Sequence, residues 1–242
     1  MKGAYYGNNV KVPHNSQRPP LYNSNPAFSR TPQQGYYPRP TSSTASKGDK
    51  DWQPTKEVLE KARKAGIPEG FNLKNWDLDD EPILLMGSAF GANSLGKWIH
   101  KWTLFCYKEK ISLGETAREL SLLLDCLNEK SKRADKFKKL KIFKTKEDEE
   151  MIDDFLEGSV NLWKRFLTLL KTCEEAMWEE AKKESNGDKP TSMSTNSGKV
   201  FIDTIFGWHY QLKTTNELMA AIRLWSFRFD ANCNDILRKY NV

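Results

Sequence analysis

From about residue 55 onward, apolar residues recur at spacings of three and four, the period of helices that bury one face. The pattern predicts a short first helix from Thr55 to about residue 65, stopped by Gly66 and Pro68. Asn93 or Ser94 is placed to cap a second helix that reaches about Lys108, with Trp98, Ile99, Trp102 and Phe105 facing inward. Ser112-Leu-Gly-Glu115 reads as a capping box opening a third, whose stripe is Leu113, Ala117, Leu120, Leu124 and Leu127. A fourth starts near Thr145 and carries Ile152, Phe155, Leu162, Phe166, Leu169, Cys173 and Met177 on one face. It would be about 60 Å long at about 1.5 Å per residue, with Gly158 as a weak point. A short helix is expected over 200–206, and a last one from Thr214, with Glu217 three residues on, to about Tyr240. Leu218, Ile222, Trp225, Phe229 and Ile236 form the buried face of that last helix. No alternating run predicts a sheet, and residues 68–92 read as loop and short helical turns. The expectation is an all-α bundle of four to six helices over residues 52–242, broken by a flexible linker at about 185–198 (the Ser/Gly/Asn-rich stretch).

The pattern is missing from the first fifty residues. They hold seven of the eleven prolines and five tyrosines, but a single Leu, no Ile and none of the eight tryptophans. Such a segment cannot bury enough apolar surface to offset about 1–2 kcal/mol of backbone entropy per residue. A disordered N-terminal tail over 1–51 is the consequence.

Charge sharpens that division. The net charge of +6 suggests a polyanion binder until it is located. Seven Lys/Arg and only Asp49 fall in residues 1–50, leaving 31 basic and 31 acidic residues for the rest. The tail carries the whole excess, and the helical domain is neutral.

Four cysteines (Cys106, Cys126, Cys173, Cys233) lie far apart inside helical patterns, with no CxxC pair, and read as small buried hydrophobes. The N-terminus has no signal-peptide-like apolar run, no Asn-x-Ser/Thr acceptor occurs, and no stretch approaches the length that spans a bilayer. An intracellular location, cytoplasm or nucleus, is the expectation.

The segments GANSLGKWIHKWT (91–103), FIDTIFG (201–207) and MAAIRLWSFRFDANCNDIL (219–237) resemble an uncharacterised family of filamentous-fungal proteins. Members of that family are helical and often have a Pro-rich N-terminal region, which has earned some of them the label of vegetative cell wall protein. The resemblance covers most of residues 70–240. It implies a helical fold, with no activity or functional residues attached.

Three motifs bear on chemistry. Gly91-Ala-Asn-Ser-Leu-Gly96-Lys97 copies seven positions of a phosphate-binding loop, but Trp98 stands where a Mg²⁺-binding Ser or Thr belongs. Leu122-Leu-Leu-Asp125 imitates the acidic strand of the same enzymes, yet its leucines continue a helical stripe. Both are therefore rejected as an NTPase signature. His14, His100 and His209 are isolated, with His100 expected on the exposed side of its helix, and no metal-ligand spacing or nucleophile–base pair is visible. The chain is read as non-enzymatic, with no metal and no cofactor.

The second motif is the basic run from Lys130 to Lys146. Lys132, Arg133, Lys136, Lys138, Lys139 and Lys141 are its densest part, interleaved with Phe137, Leu140, Ile142 and Phe143. It could hold an anionic lipid or nucleic acid. It also joins two helices, and residues 147–157 supply seven acids, so a solvated hinge is the plainer reading.

The third is Pro19-Pro20-Leu21-Tyr22, which resembles the PPxY ligand of WW domains. Two prolines in polyproline II offer a preformed ridge to an aromatic groove, and Tyr22 fills a second pocket. The sequence therefore points to an interaction or adaptor protein: a helical platform whose tail contacts a protein partner through Pro19, Pro20 and Tyr22. The alternative is anionic-surface binding through 130–146. Oligomeric state is open at this point.

Overall fold

The computed structural model describes residues 52–108, 111–140, 143–185 and 194–240. Six helices account for most of them: α1 (Lys56–Lys64), α2 (Ala92–Cys106), α3 (Ile111–Lys139), α4 (Lys146–Glu184), α5 (Thr195–Phe206) and α6 (Leu212–Lys239). The helical stripes read from the sequence become the core. Ala117, Leu120, Leu124 and Leu127 of α3, Ile152 and Cys173 of α4, and Ile222 and Cys233 of α6 are wholly excluded from solvent.

Specific contacts fix the directions. Lys138 of α3 pairs with Asp153 of α4 across the hairpin that joins them. Trp225 of α6 donates its indole N–H to the Phe155 carbonyl of α4 at 3.1 Å, and Tyr240 donates to Asp148, so α6 runs antiparallel to α4. Glu119–Arg223 and Lys130–Asp230 ion pairs make α3 and α6 parallel neighbours. The 39-residue α4 is continuous through Gly158. That glycine is no weak point: a Cβ there would lie 3.2 Å from the Trp225 indole nitrogen, so its missing side chain lets Trp225 reach the α4 backbone.

Several helix ends differ from expectation. Thr145 caps α4 as expected, accepting from Asp148, and Thr55 is the cap of α1, accepting from Val58. Ser112, however, lies inside the first turn of α3, where its carbonyl accepts from Thr116, and α6 starts before Thr214, at Leu212. Helix α5 begins at Thr195, with Ser194 and Ser197 forming its capping box, so the final residues of the expected linker belong to a helix. Residues 186–193 lie outside the described set.

The larger correction is a small mixed sheet within 68–92. Strands β1 (Asn72–Asn75), β2 (Ile83–Leu85) and β3 (Ser88–Phe90) are ordered β1-β3-β2, with β1 parallel and β2 antiparallel to β3. Strands of three or four residues place at most two side chains on either face, too few for alternation to show in a sequence. The β2–β3 turn has positive φ at both Met86 (51°) and Gly87 (69°), the sign a type I′ hairpin demands. Met86 accepts this uncommon geometry because its side chain is buried and its N–H donates to Glu174 of α4 at 2.7 Å. With α1, the sheet encloses a second small core of Ala62, Ile67, Leu73, Trp76 and Ala89. No helix among the described residues is long and apolar enough to cross a membrane.

All four cysteines are free. Burial pushes the thiols of Cys173 and Cys233 up to about 12, Asp230 adding to the effect at Cys233, so little thiolate exists near neutrality. Alkylation at pH 8 followed by mass spectrometry is therefore expected to leave both untouched until denaturant is added. Labelling of both in the native state would contradict the packing described.

Candidate functional site

Pro19, Pro20 and Tyr22 lie outside the described residues, as does Lys141. The rest of the predicted basic surface can be placed, and most of it is spent within the fold. Lys130 donates to Asp230 and to Ser226 at 2.6 and 2.7 Å, Lys132 pairs with Asp80, and Lys138 with Asp153 at 2.7 Å. Lys139 pairs with Asp135 and Lys146 with Glu150 along their own helices. The interleaved Phe137 is a core residue, and Phe143 stacks edge-on against Tyr240. Arg133, Lys136 and Lys144 are exposed and carry no ion pair among the described residues. Acids of the same and of neighbouring elements divide the run into local pairs.

Asp80, one of four acids within 77–81, organises the junction between the sheet and the bundle. Its side chain is almost fully buried. One carboxylate oxygen accepts the Ala92 N–H at the start of α2 at 3.2 Å; the other accepts the Asn128 amide at 3.3 Å and pairs with Lys132. The loop is closed by the Trp76 indole donating to the Asp80 carbonyl at 3.0 Å. Burial lowers the pKa of Lys132, but the bond to Asp80 and the charges of Asp80, Asp77 and Asp79 outweigh it, and the ammonium is held above its ordinary range.

This arrangement explains the phosphate-loop imitation. Strand β3 does precede Gly91, contrary to the expectation of no strands, and it is parallel to β1. But α2 begins at Ala92, directly after Gly91, so the residues that would wrap a phosphate are already helical. The positive end of α2 is occupied by the Asp80 carboxylate, an internal anion in the place a phosphate would take. A Cβ on Gly91 would sit 2.7 Å from that carboxylate, which is why glycine stands there. Neither Asn93 nor Ser94 is the cap; Ser94 is three residues into the motif and accepts from Gly91 N–H at 3.0 Å.

Asp125 lies beside Lys97 of α2. Burial and the neighbouring Glu129 raise its pKa, partly offset by Lys97, and one of its oxygens is buried with no hydrogen-bond partner among the described residues. His100 is half-buried rather than exposed, and burial, followed by the charge of Arg118, lowers its pKa. At the far end of α2, Tyr107 donates to Asp203 of α5, with Lys199 5.5 Å from its ring. Burial and that bond raise the phenol's pKa. Of these groups, Tyr107 ties the end of α2 to α5 through its bond to Asp203.

A cleft of about 280 Å³ opens beside Asp80, between the 80–83 loop, α3 and α4. Its walls are Pro82 and Ile83 on one side and Val160, Trp163 and Leu167 on the other, with Asn128 and Lys164 at its polar edge. Val160, Trp163 and Leu167 repeat at three and four along α4, off its core stripe, and this second periodicity was the signal available in the sequence.

The fold and these surfaces define a helical bundle carrying a small N-terminal sheet module. No protein-family model matches the chain, and neither a curated protein nor a solved structure is significantly similar to it.

Proposed function

We propose that the chain is a non-enzymatic interaction or adaptor protein, whose helical domain is a platform and whose tail presents Pro19, Pro20 and Tyr22 to a WW domain. The observation that carries the reading is the tetrapeptide Pro19-Pro20-Leu21-Tyr22, in a segment with seven Lys/Arg against one acid. The ion pairs of Lys130, Lys132, Lys138, Lys139 and Lys146 support it indirectly, because they neutralise part of the competing basic surface. Some thirty residues separate Tyr22 from α1.

A tail peptide titrated against a set of WW domains is expected to bind at least one, with Tyr22→Ala weakening it about tenfold or more. Equal affinity of the two peptides, or no binding, would sink the mechanism. Arg133, Lys136 and Lys144 keep the anionic-surface reading as the rival. Its mark would be intact protein binding anionic vesicles or RNA with steep salt dependence, lost when Arg133 and Lys136 become Glu.

A further inference from the structure

Helix α6 buries one face and leaves a second apolar stripe in water. Ala220, Leu224, Phe227 and Ala231 are spaced four, three and four, and all are exposed, Leu224 by 58% and Phe227 by 74%. A seam of this spacing is the one that helices use to pair.

Its order is its own complement. Small, large, large, small reads the same in both directions about a point between Trp225 and Ser226. Two such helices laid antiparallel about a two-fold axis at that point set Leu224 opposite Phe227 of the partner subunit. Ala220 then lies opposite Ala231 of the partner subunit, and each contact occurs twice, as a two-fold interface requires. A foreign helix would need no such symmetry.

The flank of the stripe agrees. The Glu119–Arg223 pair and the Cys126–Ser226 contact place Leu122 of α3 level with the same axis, and it too is 54% exposed. The three large exposed side chains therefore surround one point. Arg223 and Asp230 lie on the α3 side of the seam, each already bonded to α3 through Glu119 and Lys130. In the antiparallel arrangement Arg223 comes within about two residues, roughly 3 Å along the axis, of the level of Asp230 of the partner subunit. Opposite charges thus face each other across that edge, and the two intramolecular pairs merge into an alternating row.

From these features we infer that the chain self-associates as a two-fold dimer through α6, seamed by Leu224 and Phe227. The seam covers about 16 Å of helix, which puts the interface at the small end of specific ones, below about 1,200 Å². The dimer is accordingly weak, with a dissociation constant in the micromolar range. The inference is independent of what the tail binds.

Sedimentation of the intact chain from about 1 to about 300 µM, a range bracketing micromolar affinity, should show a reversible monomer–dimer equilibrium. Phe227→Glu should weaken it at least 100-fold while leaving the helical circular dichroism and melting unchanged, because Phe227 contributes little to the core. Register is tested by cysteines. The double variant Ala220→Cys/Ala231→Cys should form a reducible covalent dimer under mild oxidation. Each single variant should form far less, since its cysteine sits about 16 Å along the axis from its own copy. A wild-type chain that stays monomeric, a dimer indifferent to Phe227→Glu, or single variants that cross-link as well as the double one would overturn the proposal.

Discussion

Replacing Gly198 with alanine is expected to lower the stability of the helical domain by about 3 kcal/mol, the upper end of what overpacking costs. Gly198 sits in the first turn of α5, and its carbonyl accepts the Trp102 indole N–H at 2.7 Å. A Cβ there would stand 2.1 Å from one ring carbon of Trp102 and 2.6 Å from its nitrogen. The ring cannot retreat. Trp102 is wholly buried, stacked between Trp98 at 6.0 Å and Phe105 at 5.2 Å, with Phe201 closing the far side of Trp98. Either α5 moves off α2 or the aromatic stack rearranges, and both forfeit the hydrogen bond. Gly158→Ala is the control. Its added methyl meets Trp225 at a tight but tolerable 3.2 Å, and it gains helix propensity of about 1 kcal/mol, so a change within about 1 kcal/mol is expected. Urea unfolding followed by circular dichroism separates the two: a lowered midpoint at unchanged slope for Gly198→Ala, and little shift for Gly158→Ala.

Asp80→Ala is expected to cost about 2–3 kcal/mol. The figure combines a lost helix cap, about 1 kcal/mol, with charge-assisted hydrogen bonds of about 1.5–3 kcal/mol, discounted because Lys132 is part exposed and can turn to water. The damage should be local. Amide exchange is expected to rise at the start of α2 and in the sheet, whose only buried ionic tie to α3 runs through this carboxylate among the described residues, while α4 and α6 stay protected. Uniform loss of protection would show instead that the sheet module and the bundle unfold as one unit.

These two residues also mark what the sequence could and could not disclose. The stripes of α3, α4 and α6 were legible because each extends over several turns, and a long period survives local irregularity. The sheet was not, because its strands are too short to show a period and Ile83-Leu84-Leu85 alternates in burial without alternating in chemistry. Helix starts were misplaced where the cap comes from afar. The amide of Ala92 is satisfied by Asp80, twelve residues back and across a loop, so the cap falls at Gly91, with Ser94 accepting only the Gly91 amide. Gly198 looked like part of a Ser/Gly linker, since nothing local reveals that Trp102 needs its space. The partners of the basic run were hidden for the same reason: Lys132 and Lys130 find their acids about fifty and a hundred residues away. Pro19, Pro20 and Tyr22, the residues of the proposed contact, precede the described residues. Its chemistry is nonetheless carried by four consecutive residues and requires no tertiary structure.

The most direct measurement titrates a PPxY-binding WW domain into the intact chain and into two intact variants, Tyr22→Ala and Arg133→Glu/Lys136→Glu. The account predicts saturable binding to the wild type, weakened about tenfold or more by Tyr22→Ala and unchanged by the charge reversal. Binding that ignores Tyr22→Ala, or that vanishes only when Arg133 and Lys136 are reversed, would contradict it.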